Sequence, residues 1–211
     1  MNKKTAWLFV LLTALAVYAQ AQHDRDFTWD IDGYTVIITG YVGHNTDIRI
    51  PRQINGMPVA GIGPSAFENK RLTSVAIPDS VTIIRKRAFA NNSLVSISIP
   101  RKVTSIGTAA FARNRLTHLI IPDRVTYIGE AAFANNITLT SVIIPDILRS
   151  LNENVFAGSL RNLSWISIGS GVSLSGNLSA GWRGFSVFYA SNRQRAGVYV
   201  LSNGDWVVLP R

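Results

Sequence analysis

From Leu72 to Asn136 one pattern of apolar and polar positions is written three times. The copies are LTSVAIPDSVTIIRKRAFANN (72–92), LVSISIPRKVTSIGTAAFARN (94–114) and LTHLIIPDRVTYIGEAAFANN (116–136). A degraded copy runs from Leu139 to Gly158, an earlier variant from Asp47 to Asn69, and a partial one from Leu163 to Val172. Phe67, Phe89, Phe111 and Phe133 are each 22 residues apart, and Phe156 follows after 23. Pro78, Pro100 and Pro122 keep the same spacing, and Pro145 comes one residue late. A fixed period of this length means units that cannot bury their apolar face alone and must stack.

Within a copy, L-x-x-V-x-I-P predicts a short strand. Val75 and Ile77 are two residues apart and point one way, with Ser74 and Ala76 pointing the other. The proline ends it, since it cannot donate to a sheet ladder. V-x-x-I (Val81, Ile84; Val103, Ile106; Val125, Ile128) predicts a second extended piece, and Gly107 and Gly129 a backbone angle that a side chain resists. Ala-Phe (88–89, 110–111, 132–133) is expected in a tight helical or 3₁₀ turn, with Asn91, Asn114 or Asn135 turning the chain back. Stacked coils then place the phenylalanines one above another, each worth about 2–3 kcal/mol of apolar burial.

An array of this kind exposes an apolar face at each end, so capping pieces are expected. In the segment 22–45, FTWDI and YTVII flank Asp32-Gly33, which predicts a hairpin with a type I′ turn over Phe27–Gly43. The repeats occupy 46–172, in five to six coils. In 173–211, Ser173 to Gly184 is small and polar and predicts a loop, and FSVFY (185–189) is β-like. GVYVL (197–201) and WVVL (206–209) flank Asn203-Gly204, a second hairpin signal. The fold class is therefore a repeat solenoid.

The unit L-x-x-V-x-I-P-x-x-V-x-x-I-G-x-x-A-F-x-x-N resembles the BspA-like class of bacterial leucine-rich repeats. The likeness covers Asp47 to Val172. Ile48–Pro51 and Ile54–Val59 are similar to the first repeat of such proteins, and Arg195-Ala196-Gly197-Val198-Tyr199 to some of their tails. The resemblance implies a curved leucine-rich repeat solenoid with a parallel sheet on its concave side. It implies exported or surface proteins, some of them adhesins that bind host or matrix proteins, and brings no catalytic residues.

Composition narrows the chemistry. Of 211 residues 47% are hydrophobic and only 16% charged, which excludes a largely disordered chain. There is no cysteine, so disulfides, thiolate metal sites and a cysteine nucleophile are out. His23, His44 and His118 stand in unrelated settings without a partner at ligand spacing, so no metal or other cofactor is expected. Asp79, Asp123 and Asp146 recur after the proline, where capping a turn explains them. Gly169-Ser170-Gly171 is a turn-like cluster. The Asn-x-Ser/Thr triplets Asn91-Asn92-Ser93 and those starting at Asn136, Asn162 and Asn177 are read as turn asparagines. No enzyme motif occurs.

Function is therefore sought where the copies differ. Outward slots of the concave strands form two rows, Ser74, Ser96, His118, Ser141, Trp165 and Ala76, Ser98, Ile120, Ile143, Ser167. His118, Ile120, Ile143 and Trp165 are the candidate partner-binding residues, since exposed apolar patches mark interaction sites. The alternative is that the C-terminal segment folds over them. Net charge is +9, and Arg85, Lys86, Arg87, Arg101 and Lys102 form a candidate basic rim for an anionic polysaccharide or envelope component. Arg113, Arg115 and Arg124 add to it; solubility is the plain alternative. Nucleic acid is excluded as a partner, because no basic-aromatic interleaving is present. The expected function is protein recognition or adhesion by a monomer.

The start of the chain bears on location. Met1–Lys4 is basic, Thr5–Tyr18 apolar, and Ala19-Gln20-Ala21 fits a signal-peptidase site. The apolar run falls short of the roughly 20 residues of a membrane span; an uncleaved N-terminal anchor is the alternative. Removal of 1–21 leaves 19 basic and 12 acidic residues, a charge of +7, in a secreted, surface or periplasmic protein with no transmembrane segment. Mass spectrometry of the exported protein should find Gln22 as the first residue; finding Met1 or Lys3 rules cleavage out.

Overall fold

A computed structural model describes residues 25–159, 162–175, 185–203 and 205–209. The expected signal segment 1–21, most of the expected loop (176–184), Gly204 and the Asn177 triplet lie outside the described residues. The chain winds as a solenoid of short strands and turns. The 22-residue repeat sets the coil, and each coil gives a strand to one side and a shorter one to the next side.

The second-strand side is a seven-stranded sheet. It runs β1 (Phe27–Asp32), β2 (Thr35–Tyr41), β5 (Met57–Ile62), β7 (Ile83–Ile84), β8 (Ser105–Ile106) and β10 (Tyr127–Ile128), with β4 (Gln53–Ile54) paired to β5. β1 and β2 are the expected N-terminal hairpin, but its turn sits one residue later, because Asp32 pairs with Thr35. Gly33 at φ 62° takes the first central position, and Tyr34 is not at positive φ. That is the pattern of a type II′ turn, which needs glycine only there.

On the concave side, β3 (Asp47–Arg49) pairs with β6 (Ser74–Ala76). A second run has the order β16 (Asp205–Val208), β15 (Gly197–Ser202), β13 (Trp165–Ile168), β11 (Ser141–Ile144), β9 (His118–Ile120). The sheet lapses between them. Residues 96–100 form no strand, although the copy they belong to is regular in sequence. Cross-strand side-chain pairs are what stabilise a sheet. Both outward slots of this copy, 96 and 98, are serine, but Ser74 and Ala76 at the same slots of β6 do form a strand, so side-chain size alone does not account for the lapse. β12 (Ser150–Asn152) and β14 (Ser173–Ser175) form a last parallel pair.

The convex segment is turn rather than helix, except for a 3₁₀ helix at Glu153–Phe156. Its backbone alternates. The amides of Arg87, Phe89 and Asn91 donate to the next coil, at Thr108, Ala110 and Ala112, and those of Ala88 and Ala90 bond back within the coil. Two positive-φ positions per coil keep a helix from propagating: Ser65, Arg87, Ala109, Ala131 and Asn69, Asn91, Arg113, Asn135. Gly107 and Gly129 are not among them, contrary to expectation. Gly107 is needed for closeness instead, because a Cβ there would lie 2.6 Å from the Lys86 nitrogen. The post-proline turn is closed by the backbone, Val81 N–H to Pro78 O at 3.1 Å and Val103 N–H to Pro100 O at 3.0 Å, not by aspartate.

Two ladders run through the interior. Phe67, Phe89, Phe111, Phe133 and Phe156 stack at 5.0, 5.3, 5.4 and 5.8 Å between ring centroids. Phe27 and Tyr41 of the hairpin close the column against Phe67. The other ladder is polar. Asn92, Asn114 and Asn136 are buried. The Asn92 amide nitrogen donates to Phe67 O, at 2.8 Å, and to Phe89 O, while its oxygen accepts from Leu72 N–H at 2.9 Å. Asn114 and Asn136 repeat this one and two coils on, toward Leu94 and Leu116. In the next coil Ser159, also buried, accepts from Asn136 N–H and donates to Phe133 O. Asn136 is therefore neither a turn asparagine nor reachable by a glycan.

At the C-terminal end, FSVFY folds as the helix α1 (Phe185–Ser191) and not as a strand. Helical spacing sets Phe185 over Tyr189, with centroids 5.7 Å apart. Tyr199 and Trp206 meet Phe185 edge-on, at 5.3 and 4.9 Å. An apolar run this short suits either structure, and the aromatic cluster decides. The Gly169–Gly171 cluster serves as its dock: the Tyr189 hydroxyl donates to Gly169 O at 2.6 Å.

Two substitutions test the coil. Asn114→Leu strands several buried backbone groups at about 1–3 kcal/mol each, so urea unfolding should show a loss of at least about 3 kcal/mol. Ala109→Gly relieves a left-handed alanine and should stabilise by about 0.5–1 kcal/mol after the entropy cost of glycine. An unchanged midpoint for Asn114→Leu contradicts the ladder.

Candidate functional site

Strand register builds the concave face. His118 is paired with Ser141, Ser141 with Trp165, and Trp165 with Val200 of β15. One slot along, Ile120 pairs with Ile143, Ile143 with Ser167, and Ser167 with Val198. Paired residues share a face. The four residues singled out by sequence thus stand on one side of β9, β11 and β13.

The C-terminal hairpin does not fold over them. It adds edge-on to β13 in antiparallel pairing and lengthens the face, contributing Val198, Val200, Val207 and Leu209. Ile120 is 62% exposed, Leu209 42% and Val207 40%, while Ile143, Trp165, Val198 and Val200 are half-buried. The alternating apolar residues of GVYVL and WVVL were the available signal for these four positions. What sequence could not show is which strand β15 would join.

The basic residues are dispersed. Arg85, Lys86 and Arg87 are exposed in the convex turn after β7, and Arg101 and Lys102 in the turn before β8. Arg87 pairs with Glu68, the one ion pair among the described residues. Burial works to raise the Glu68 carboxyl, but hydrogen bonds from Ser65, Arg87 and Asn91 outweigh it and hold the carboxyl below its usual range. Arg87 is thereby a structural tie between coils. Arg101 belongs with the concave residues instead. An open groove of about 690 Å³ lies where the sheet lapses, lined by Arg101, His118, Ile120, Arg124 and Ile143 among others. The His118 Nδ1 lies 2.6 Å from the Ser141 hydroxyl. Asp123 also faces this groove, and no group of three or more His, Cys, Asp or Glu residues among those described could hold a metal ion.

A curved stack of 22-residue coils, with parallel strands on one side and a phenylalanine column within, defines a leucine-rich repeat protein. The BspA-type leucine-rich repeat region model matches residues 60–178 in six copies, and the chain belongs to that family. A leucine-rich repeat protein of Treponema pallidum, TpLRR, is 27% identical with a TM-score of 0.58, over 71% of this chain and 83% of its own. A leucine rich cell surface protein from Faecalibacterium prausnitzii is 23% identical, with a TM-score of 0.55 over 88% of this chain and 60% of its own. The pneumococcal vaccine antigen PcpA is 19% identical, with a TM-score of 0.55 over 75% of this chain and 39% of its own. The chain thus spans less than two thirds of both longer proteins. The sequence matches no curated protein. The family consists in general of protein-interaction or surface proteins. No helix among the described residues is long and apolar enough to cross a membrane.

Ile120→Asp should change stability by less than about 0.5 kcal/mol, because its side chain is mostly in water. Trp165→Ala should cost about 2 kcal/mol, since part of its ring is packed. Urea midpoints check both, and unfolding by Ile120→Asp contradicts a free concave face.

Proposed function

We propose that this chain is an exported, non-enzymatic recognition protein that binds another protein, in the manner of an adhesin, through its concave face. The observation that supports this is the apolar surface shared by β9, β11, β13, β15 and β16, with Ile120, Val207 and Leu209 in water. Apolar residues gathered on one sheet in a charge-poor row are the composition of an interface core. Surface location is supported by the described nature of the similar proteins, one a cell surface protein and one a vaccine antigen. A second reading is an envelope component that holds anionic polysaccharide. It is favoured by the exposure of Arg85, Lys86, Arg87, Arg101 and Lys102, of which only Arg87 has an ion-pair partner among the described residues.

Salt separates the two. At about 0.5 M salt, charge interactions reach only roughly 4 Å, and apolar contacts persist. The immobilised mature protein should capture the same partner from host-matrix and envelope extracts at low and high salt, and lose it on Ile120→Asp with Leu209→Asp. Loss in salt, together with loss on Lys86→Glu and Lys102→Glu but not on the concave substitutions, contradicts the proposal in favour of the second reading.

A further inference from the structure

The two ends of the solenoid are closed differently. At the C-terminal end, α1 packs Phe185 against Tyr199 and Trp206. At the N-terminal end the cap is β1, the outermost strand of the seven-stranded sheet, and among the described residues it pairs with β2 alone. The first coil follows it in the sheet, so its far side is a true sheet edge. The main chain there has a fixed phase. Asp32 and Thr35 flank the two-residue turn, and Val42 N–H donates to Asp26 O at 2.8 Å. Alternate residues of an antiparallel pair bond across it, so Asp26, Thr28, Asp30 and Asp32 turn their main chain toward β2. Trp29 and Ile31 turn theirs to the open side, where a further strand can add.

The side chains divide the same strand by face. On the core side Ile31 pairs with Val36 and Trp29 with Ile38. Phe27 is buried and Trp29 half-buried, but Ile31 is 59% exposed, and Tyr34 in the turn is 93% exposed. The cover over the first coil is therefore unfinished along this edge. On the other face Thr28, Asp30 and Asp32 are all exposed. Neither Asp30 nor Asp32 makes an ion pair among the described residues. Residues 24–32 hold four of the twelve acidic residues of a chain whose net charge is +9, and only one basic residue, Arg25.

These features select the strand that fits. A second copy of β1 does not. Pairing Trp29 with Ile31 of a copy, in both directions, sets Asp30 directly opposite Asp30, and like charges so placed are destabilising. A strand that alternates apolar and basic residues meets every requirement. We propose that β1 is a docking edge for an extended, basic, alternating segment of a partner polypeptide. The segment bonds to the outward main-chain groups of Trp29 and Ile31, lays apolar side chains over Ile31, and sets ammonium or guanidinium groups beside Asp30 and Asp32. This site lies apart from the concave face and does not rest on it.

The test uses the full mature protein and a fluorescein-labelled octapeptide of alternating valine and lysine, read by anisotropy. Its valine–glutamate counterpart, an isomer with the lysines grouped at one end, and two backbone N-methylated versions, one for each alternating set of amides, complete the series. The alternating lysine peptide should bind, and the glutamate peptide should not. Asp30→Lys with Asp32→Lys should weaken lysine-peptide binding by at least about tenfold, the scale of one lost charge-assisted contact, and should confer binding of the glutamate peptide. Asp47→Lys with Asp79→Lys, exposed on other strands and turns, should leave binding unchanged. One N-methylated peptide should bind at least about tenfold more weakly than the other. A circular-dichroism melt confirms that each variant is folded. Absence of lysine-peptide binding overturns the proposal and leaves the aspartates as guards that keep the edge unpaired. Equal binding by both N-methylated peptides, or by the grouped isomer, also overturns it, because charge attraction alone then explains the result. So does failure of the charge-reversed variant to take the glutamate peptide.

Discussion

The structure depends on a backbone problem that each coil leaves for its neighbour to solve. Where the chain turns from the convex side back to the concave strand, the Leu72, Leu94 and Leu116 amides and the Phe67, Phe89 and Phe111 carbonyls are enclosed. Asn92, Asn114 and Asn136, each reaching back one coil, satisfy them. A buried polar group without a partner costs about 1–3 kcal/mol, so the register between coils is set by these amides as firmly as by the phenylalanines beside them. Apolar stacking alone tolerates a slip; a hydrogen-bonding ladder with a fixed geometry does not. Where the asparagine series ends, a buried serine, Ser159, takes over part of the work, and the period stretches by a residue.

Interior and exterior are thereby divided between different positions of the same repeat. The positions that every copy shares are inside and carry no information about a partner. The outward slots are free to vary, and their variation gives the concave face its character. The sheet lapses at the copy with serine at 96 and 98, isoleucine at 120 and 143 makes it apolar, and Trp165 hands the surface on to the C-terminal hairpin. The basic residues occupy different parts of the coil. Arg87 ties two coils through Glu68, Arg85 and Lys86 face away from the concave sheet, and Arg101 sits at the groove.

Much of this was legible in the chain. The spacing of Phe67 to Phe156 and of Pro78 to Pro145 determined the coil, and the outward rows could be written down from the period alone. The polar ladder was misassigned because two asparagine series run one residue apart. Asn91 and Asn135 take left-handed backbone angles at the surface, and Asn92 and Asn136 are buried. Their common phase with Asn114 was the signal. What escaped was set by contacts distant in sequence. Phe185–Tyr189 became helical to meet Tyr199 and Trp206, β15 joined β13 to extend the face, and a regular copy at 94–100 formed no strand.

The asparagine ladder holds the coils together just before the point where the concave strand of one copy is released. Native-state hydrogen exchange, resolved by residue, measures both at once. The Leu72, Leu94 and Leu116 amides should exchange only through global unfolding, while Ile97 and Ile99 exchange orders of magnitude faster than Val75 and Leu119 in the neighbouring strands. Protection of Ile97 equal to that of Val75, or rapid exchange at Leu94, contradicts the account.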